Sequence, residues 1–235
     1  MCGRFTASFE LREIKLLFNL QRDIPLFARR YNIAPSQEVP VIVQNEGVNE
    51  LKPMKWGLVP SWAPDPELGT ACAETLTEKP SFKRLVQQRR CLIPADGFYE
   101  WRREGNRKVP VWIHLKDRKP FAFAGLWDCW RDAEGETLYT FTIITTAPNA
   151  LLRSFHNRMP VIFDKLSPKQ WLDPVFGPSD ATLATVLAPF PSALMEAHDV
   201  SPLVNKPENE LPNCITPVAD RQFRLVNRCA RKSEG

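Results

Sequence analysis

Apolar and polar positions follow two rhythms along this chain. "SFELREIKLLFNL" sets Phe9, Ile14, Leu17 and Phe18 near helical spacing behind Ser8, a residue type that caps helix starts, and predicts a helix over roughly 8–20. After Pro80, "SFKRLVQQRR" repeats that rhythm as a short basic helix with Phe82, Leu85 and Val86 facing inward. Further helices are predicted near 147–153, 168–172 and 180–188. Elsewhere the period shortens. "VPVIVQ" is a short strand, and "LKPMKWGLVPSWAPD" is a strand that runs into a proline-rich loop carrying Trp62. "VPVWIHL" and "LYTFTIITT" alternate in part, whereas "PFAFAGLW" is almost wholly apolar. "CLIPADGFYEW" contains a strand, a turn at Asp96-Gly97 and a second strand bearing Tyr99, Glu100 and Trp101. Strands fill the middle without the regular strand-helix rhythm of a parallel sheet. The expected class is α+β, with a mostly antiparallel, barrel-like β core flanked by short helices.

Length and composition narrow this to one domain over 1–235, since no linker, repeat or low-complexity tract interrupts the pattern. The 22 prolines, about twice the usual ~5% share, suit short strands joined by proline-rich turns. No apolar run approaches ~18 residues, and Arg4, Glu10, Arg12, Glu13 and Lys15 interrupt the first twenty, so neither a secretory leader nor a membrane span is expected. The six cysteines form no CxxC pair and the three histidines no HxxxH spacing. Reduced thiols in the cytoplasm follow as the expectation, with no metal and no cofactor.

Charge changes the picture more than composition does. Between Ser81 and Lys108, eight basic residues (Lys83, Arg84, Arg89, Arg90, Arg102, Arg103, Arg107, Lys108) face three acidic ones (Asp96, Glu100, Glu104), a net +5 that leaves the rest of this +4 chain at −1. Such a segment suggests an anionic partner, nucleic acid above all. Charge alone is equally compatible with a solvated helix face followed by a charged hairpin.

The opening "MCGRF" raises a chemical possibility. Initiator Met is usually trimmed before a small residue, and trimming here makes Cys2 a 1,2-aminothiol: an α-amine of pKa roughly 7.7–8.0 beside a thiol near ~8.5, both partly available at neutral pH. Position alone is also compatible with a small buried cysteine.

Two families place Cys directly after Met. N-terminal-nucleophile glutamine amidotransferases open similarly, but Arg4 departs from their pattern, and no "RGPD", "HTRWAT"-like or "NGE" segment follows. By contrast, "MCGRF", "RYNIAPSQEVPVI", "MKWGLVPSW", "RRCLIPADGFYEW", "FAFAGLWD", "FTIITTAPN" and "FHNRMPVIF" stand in the order typical of the SOS-response-associated peptidase (SRAP) family, and "VSPLVNKPENELPNCITPV" resembles its closing segment. Members of that family shield abasic sites in single-stranded DNA. The resemblance implies that the Cys2 amine condenses with the ring-opened sugar aldehyde and that the thiol closes a thiazolidine, an addition made favourable by proximity. It implies Glu100 as the acid/base group and His156 as a proton shuttle, with Asn32 positioning backbone or Cys2. Arg4 and Arg158 match arginines that hold DNA phosphates, and Trp62 lies in a loop that wedges against nucleotides. His114 and His198 match no motif and are expected to be structural or surface residues, and the other six tryptophans core or rim aromatics.

The expected partner is therefore single-stranded DNA containing abasic sites, bound by a monomer with no membrane involvement. A thiol peptidase using Cys2, as the family name suggests, and a non-catalytic single-strand binder remain as alternatives. One segment departs from the pattern. Relatives carry "NARAET" where this chain reads "TACAET", so Thr70 replaces an amide at the reacting centre and Cys72 replaces a phosphate-binding guanidinium; Ala63 follows Trp62 where relatives often place a second aromatic.

Overall fold

The apolar middle of the sequence closes on itself. A computed structural model describes residues 3–22, 28–63, 71–73, 76, 78, 80–164, 168–177 and 179–218. In chain order its strands are β1 (Phe5–Ala7), β2 (Arg30–Ile33), β3 (Glu38–Asn45), β4 (Val48–Trp56), β5 (Ala71–Cys72), β6 (Arg90–Ala95) and β7 (Gly97–Glu104). They continue as β8 (Arg107–Leu115), β9 (Phe121–Arg131), β10 (Thr137–Thr146), β11 (Met159–Pro160), β12 (Ile162–Phe163) and β13 (Met195–Asp199). The helices are α1 (Leu11–Leu17), α2 (Pro80–Gln88), α3 (Pro168–Leu172) and α4 (Asp180–Val186).

Strands β10, β4, β3, β6 and β9 pair in that order, and β9 pairs back with β10 to close a five-stranded barrel. The pairing of β10 with β4 and with β5 is parallel, so the barrel is mixed within an otherwise antiparallel α+β fold. Closure requires tight approach. At Gly125 a Cβ would lie 2.8 Å from the Thr142 carbonyl oxygen and closer still to Ile93, which is why a strand rich in large apolar residues carries glycine there. All of β6 and the first six residues of β9 are buried, giving the nearly unbroken apolar runs seen in the sequence. Trp171 of α3 caps this core from outside, fully buried, its indole N–H donating to the Cys91 carbonyl at 3.0 Å.

A second sheet, ordered β13-β8-β7-β1-β2, brings the first strand and the last into one layer. The predicted turn at Asp96-Gly97 sits between β6 and β7, but these strands do not pair with one another: β6 belongs to the barrel and β7 to the second sheet. Asp96 makes the crossing by accepting from the Thr6 hydroxyl at 2.6 Å and from the Ser8 amide and hydroxyl. That contact corrects the first helix. Ser8 is committed to Asp96, so α1 begins at Leu11 and is shorter than expected; Glu10 stands at its N-cap, its amide donating to the Glu13 carboxylate at 2.7 Å. The helix predicted near 147–153 is reduced to a 3-10 turn over Leu152–Ser154, with Asn149 Oδ1 accepting from the Leu152 amide. Among the described residues, no helix is long and apolar enough to cross a membrane.

Candidate active site

Strand β1 delivers the amino-terminal end to β7. Phe5 pairs with Phe98 and Thr6 with Gly97, and the Tyr99 amide donates to the Arg4 carbonyl at 2.9 Å. Carried on by register, Gly3 falls opposite Glu100. Cys2 lies outside the described residues, one peptide unit further along.

Glu100 is 5% exposed, and its Oε1 has no hydrogen-bond partner among the described residues. Burial strips this carboxylate of hydration and pushes its pKa up to about 7, with the Trp101 backbone N–H pulling the other way. Tyr99, its neighbour in sequence, turns its hydroxyl to the Tyr31 carbonyl at 2.7 Å. A cleft of about 660 Å³ opens over this position, lined by Glu100, Trp101, Arg103, Lys108, His156 and Asn205 together with Ser154 and Phe155. Glu100 and His156, far apart in the sequence, thus share one cavity.

His156 follows the 3-10 turn, and its Nδ1 accepts from the Arg158 amide at 3.0 Å. In the neutral ring that contact leaves the proton on Nε2. Burial lowers its pKa, with the hydrogen bond from the Arg158 amide pulling the other way, so the neutral form with its proton on Nε2 is favoured.

Asn32 is completely buried and acts as a knot. Its Oδ1 accepts from Arg4 Nη1 at 2.6 Å, and its Nδ2 lies within hydrogen-bonding distance of the carbonyls of Val204, Lys206 and Asn209. Glu210 fastens the same segment, accepting from the Tyr31 and Asn32 amides and from Arg30. Asn32→Ala leaves several buried groups without partners, a loss of roughly 3 kcal/mol or more. A clearly lowered denaturation midpoint is expected, with no rescue by Asn32→Asp, which has an acceptor but no donor; a midpoint unchanged in the alanine variant contradicts this role.

Arg4, expected at phosphate, directs Nη1 inward to Asn32 and to the Val204 carbonyl at 2.7 Å, with its guanidinium 5.9 Å from the Trp101 ring centre. Arg158 donates through Nη2 to the Thr145 carbonyl at 2.5 Å. Across β5 and β10, the Cys72 backbone pairs with that same Thr145, placing positions 72 and 158 at one strand end. Thr70 lies outside the described residues. Trp62 is 66% exposed on a turn held by Ser61 N–H to Asp128 at 2.9 Å and by Trp130 Nε1–H to the Ala63 carbonyl at 2.9 Å. Asp128 pairs with Thr140, so this turn stands about 17 Å along β10 from Thr145 at ~3.4 Å per residue, and the two form separate parts of the surface.

His114 and His198 are apart from the cleft, packed against Trp112, with Nδ1 of His114 and Nε2 of His198 on the carbonyls of Leu115 and Ile215. Among the described residues no group of three or more His, Cys, Asp or Glu is arranged to hold a metal. Asn205 is a residue that the sequence reading misses; its Oδ1 accepts from Trp101 Nε1 at 2.8 Å and builds the cleft wall. Its place within "VSPLVNKPENELPN" is the available signal.

The profile of the SOS response associated peptidase (SRAP) family matches residues 1–207. Over 222 residues the chain is 45% identical to "Abasic site processing protein YoqW" of Bacillus subtilis (strain 168), covering 92% of this chain and 99% of that protein. It is 32% identical to "Abasic site processing protein HMCES" of Xenopus tropicalis over 223 residues, 80% of this chain and 66% of that one. A crystal structure of a protein from Bacteroides thetaiotaomicron superposes with a TM-score of 0.81 at 30% identity, covering 92% of this chain and all of the other.

Proposed function

The chain belongs to the SOS response associated peptidase family, and from that premise we propose that it processes abasic sites in single-stranded DNA by forming a covalent thiazolidine with the lesion through Cys2 of the mature chain. Relatives named as abasic site processing proteins support the substrate. The observation that carries the chemistry is Glu100: a buried carboxyl of raised pKa opening into the cleft, opposite Gly3 by register.

In this reading the Cys2 α-amine adds to the sugar aldehyde to give a carbinolamine. Glu100, protonated, gives its proton to the departing hydroxyl, which leaves as water; the resulting iminium returns its nitrogen proton to the Glu100 carboxylate, and the imine forms. The Cys2 sulfur then adds to the imine carbon, its proton passing to the nitrogen, and the five-membered ring closes. One water is lost overall and no other reactant is consumed. Neutral His156 donates its Nε2–H to the sugar oxygen as charge develops there. Arg158 holds phosphate beside the lesion, and Trp62 meets a more distant part of the strand by stacking. Arg4 and Asn32 fix the chain immediately ahead of β1.

The test incubates mature protein with single-stranded oligonucleotides differing only in one abasic site. A heat-stable band shift confined to the abasic strand supports the reading. No shift, or an equal shift on intact DNA, overturns it, and peptide cleavage without an adduct favours a thiol peptidase.

Cys72→Arg addresses the departure from the family pattern. A restored phosphate contact adds ~0.7 to the slope of log affinity against log salt for a single strand, and improves affinity about tenfold where the bond is well placed. Thr70→Asn is expected instead to speed adduct formation. Binding and single-turnover measurements over a salt series separate the two; variants indistinguishable from the parent mean that these positions do not meet the DNA.

A further inference from the structure

The basic stretch from Lys83 to Lys108 divides sharply once each side chain is placed. Arg84 is paired with Asp128 at 2.9 Å and also bonds Ser61. Arg89 lies over the Trp127 ring, 4.3 Å from its centre. Arg90 is buried, donating to the carbonyls of Val86, Gln87, Trp171 and Asp173. Arg102 is held between Glu104 and Asp199. Half of the cluster is therefore structural.

Of the remaining four, Arg103 and Lys108 stand apart because both line the cleft that contains Glu100 and His156. They are direct cross-strand partners on the β7–β8 hairpin, so their side chains project from the same face. Both are exposed, and neither makes an ion pair among the described residues. Like charges directly opposite on an antiparallel pair destabilise a hairpin. Among the described residues no ion pair relieves this: Glu104 bonds Arg102, and Glu100, the carboxyl among the described lining residues of the cleft, is buried. Two such cations held at adjacent positions over a cleft form a site for an anion that bridges them.

We propose that Arg103 and Lys108 form a two-point clamp on the sugar-phosphate backbone of the single strand, at the lip of the cleft and separate from the Thr145 end of β10 where Arg158 is anchored. This rests on the nucleic-acid reading above and adds a second backbone contact to it. The strand is then held by two kinds of backbone contact, one from Arg158 and one from the hairpin.

The test measures equilibrium binding of an intact single-stranded oligonucleotide over a salt series for Arg103→Ala/Lys108→Ala, with Arg107→Ala, on the same hairpin but outside the cleft, as the control for lost charge. Removing two phosphate-binding cations should lower the slope of log affinity against log salt by ~1.4 and weaken binding roughly tenfold or more at low salt, well beyond the control, with partial recovery in Arg103→Lys/Lys108→Arg. A double variant no worse than Arg107→Ala overturns the clamp even if the parent protein still forms adducts on abasic DNA. If the double variant shows this slope change on intact DNA while the parent forms no adduct, the clamp stands and the covalent reading falls instead. A parent with no affinity for single strands removes both.

Discussion

Replacing Cys2 by Ser is expected to abolish the heat-stable adduct while leaving a Schiff base that borohydride traps. The α-amine is unchanged in this variant, so condensation with the aldehyde still proceeds and still reverses by hydrolysis. The second bond no longer forms, because a hydroxyl is a far weaker nucleophile than a partly ionised thiol at neutral pH. An amino-terminal extension that retains Met1 is expected to be nearly as damaging by a different route, since the amine then sits on a residue with no thiol. Gel analysis with and without borohydride distinguishes them: the Ser variant gives a band only after reduction. A heat-stable band of parental yield from Cys2→Ser without reduction excludes ring closure through this thiol.

Glu100→Gln is expected to move activity and stability in opposite directions. With a pKa of about 7, Glu100 is mostly protonated at pH 6 and mostly ionised at pH 8, so its contribution as an acid falls as pH rises through 7. The α-amine and thiol gain nucleophilicity over the same range, and a bell-shaped single-turnover profile follows. Gln removes the falling limb and slows the reaction at pH 7 by roughly 100-fold or more. The stability effect has the other sign. Glu100 binds its proton more tightly folded than unfolded, so the native state takes up more protons between pH ~4.5 and ~7, and stability falls as pH rises through that window. Above pH 7 the buried charge costs about 3 kcal/mol relative to the protonated form. The Gln variant lacks that charge and is expected to unfold at a higher temperature than the parent at pH 8, with the difference shrinking toward pH 5. A variant that is less stable at pH 8, or whose rate keeps the parental pH profile, contradicts the assignment.

The fold class was legible because it rests on local rhythm. The apolar runs of β6 and β9 report burial directly, and α2, α3 and α4 fall close to their predicted positions, whereas the partial alternation of β8 and β10 gives way to continuous burial over 110–115 and 140–146. What misled was competition over distance. Ser8 is a good helix cap in isolation, but Asp96, far along the chain, takes its hydroxyl, and α1 starts later. The Asp96-Gly97 turn was readable from its residue types, but whether the strands on either side pair or part company was not, because it depends on β1, which supplies Thr6, and on Ser8 just beyond it, to hold the crossing.

The same distinction runs through the candidate site. Glu100, His156 and Asn32 stand in recognisable motifs, and Glu100 and His156 line one cleft, whereas what each side chain touches was not readable. Arg4 reads as a cation available to phosphate until Val204 and Asn32 appear beside it, and no local pattern links positions 4, 32 and 204. Arg90 and Lys108 carry equal weight in a charge count, yet one is spent on buried carbonyls and the other overhangs the cleft. Partner assignment in the basic segment is a tertiary property, and the structure supplies it.

The central claim, that residue 2 makes both bonds to the lesion, is tested most directly by tandem mass spectrometry of the adduct after protease and nuclease digestion, with an alkylating reagent added before digestion. Thiazolidine and Schiff base are isomers and share one mass, so the reagent decides between them. The account predicts the sugar remnant, less one water, on an amino-terminal Cys2 whose sulfur takes no alkyl group. A remnant on a lysine, or on a Cys2 that still alkylates, would contradict it.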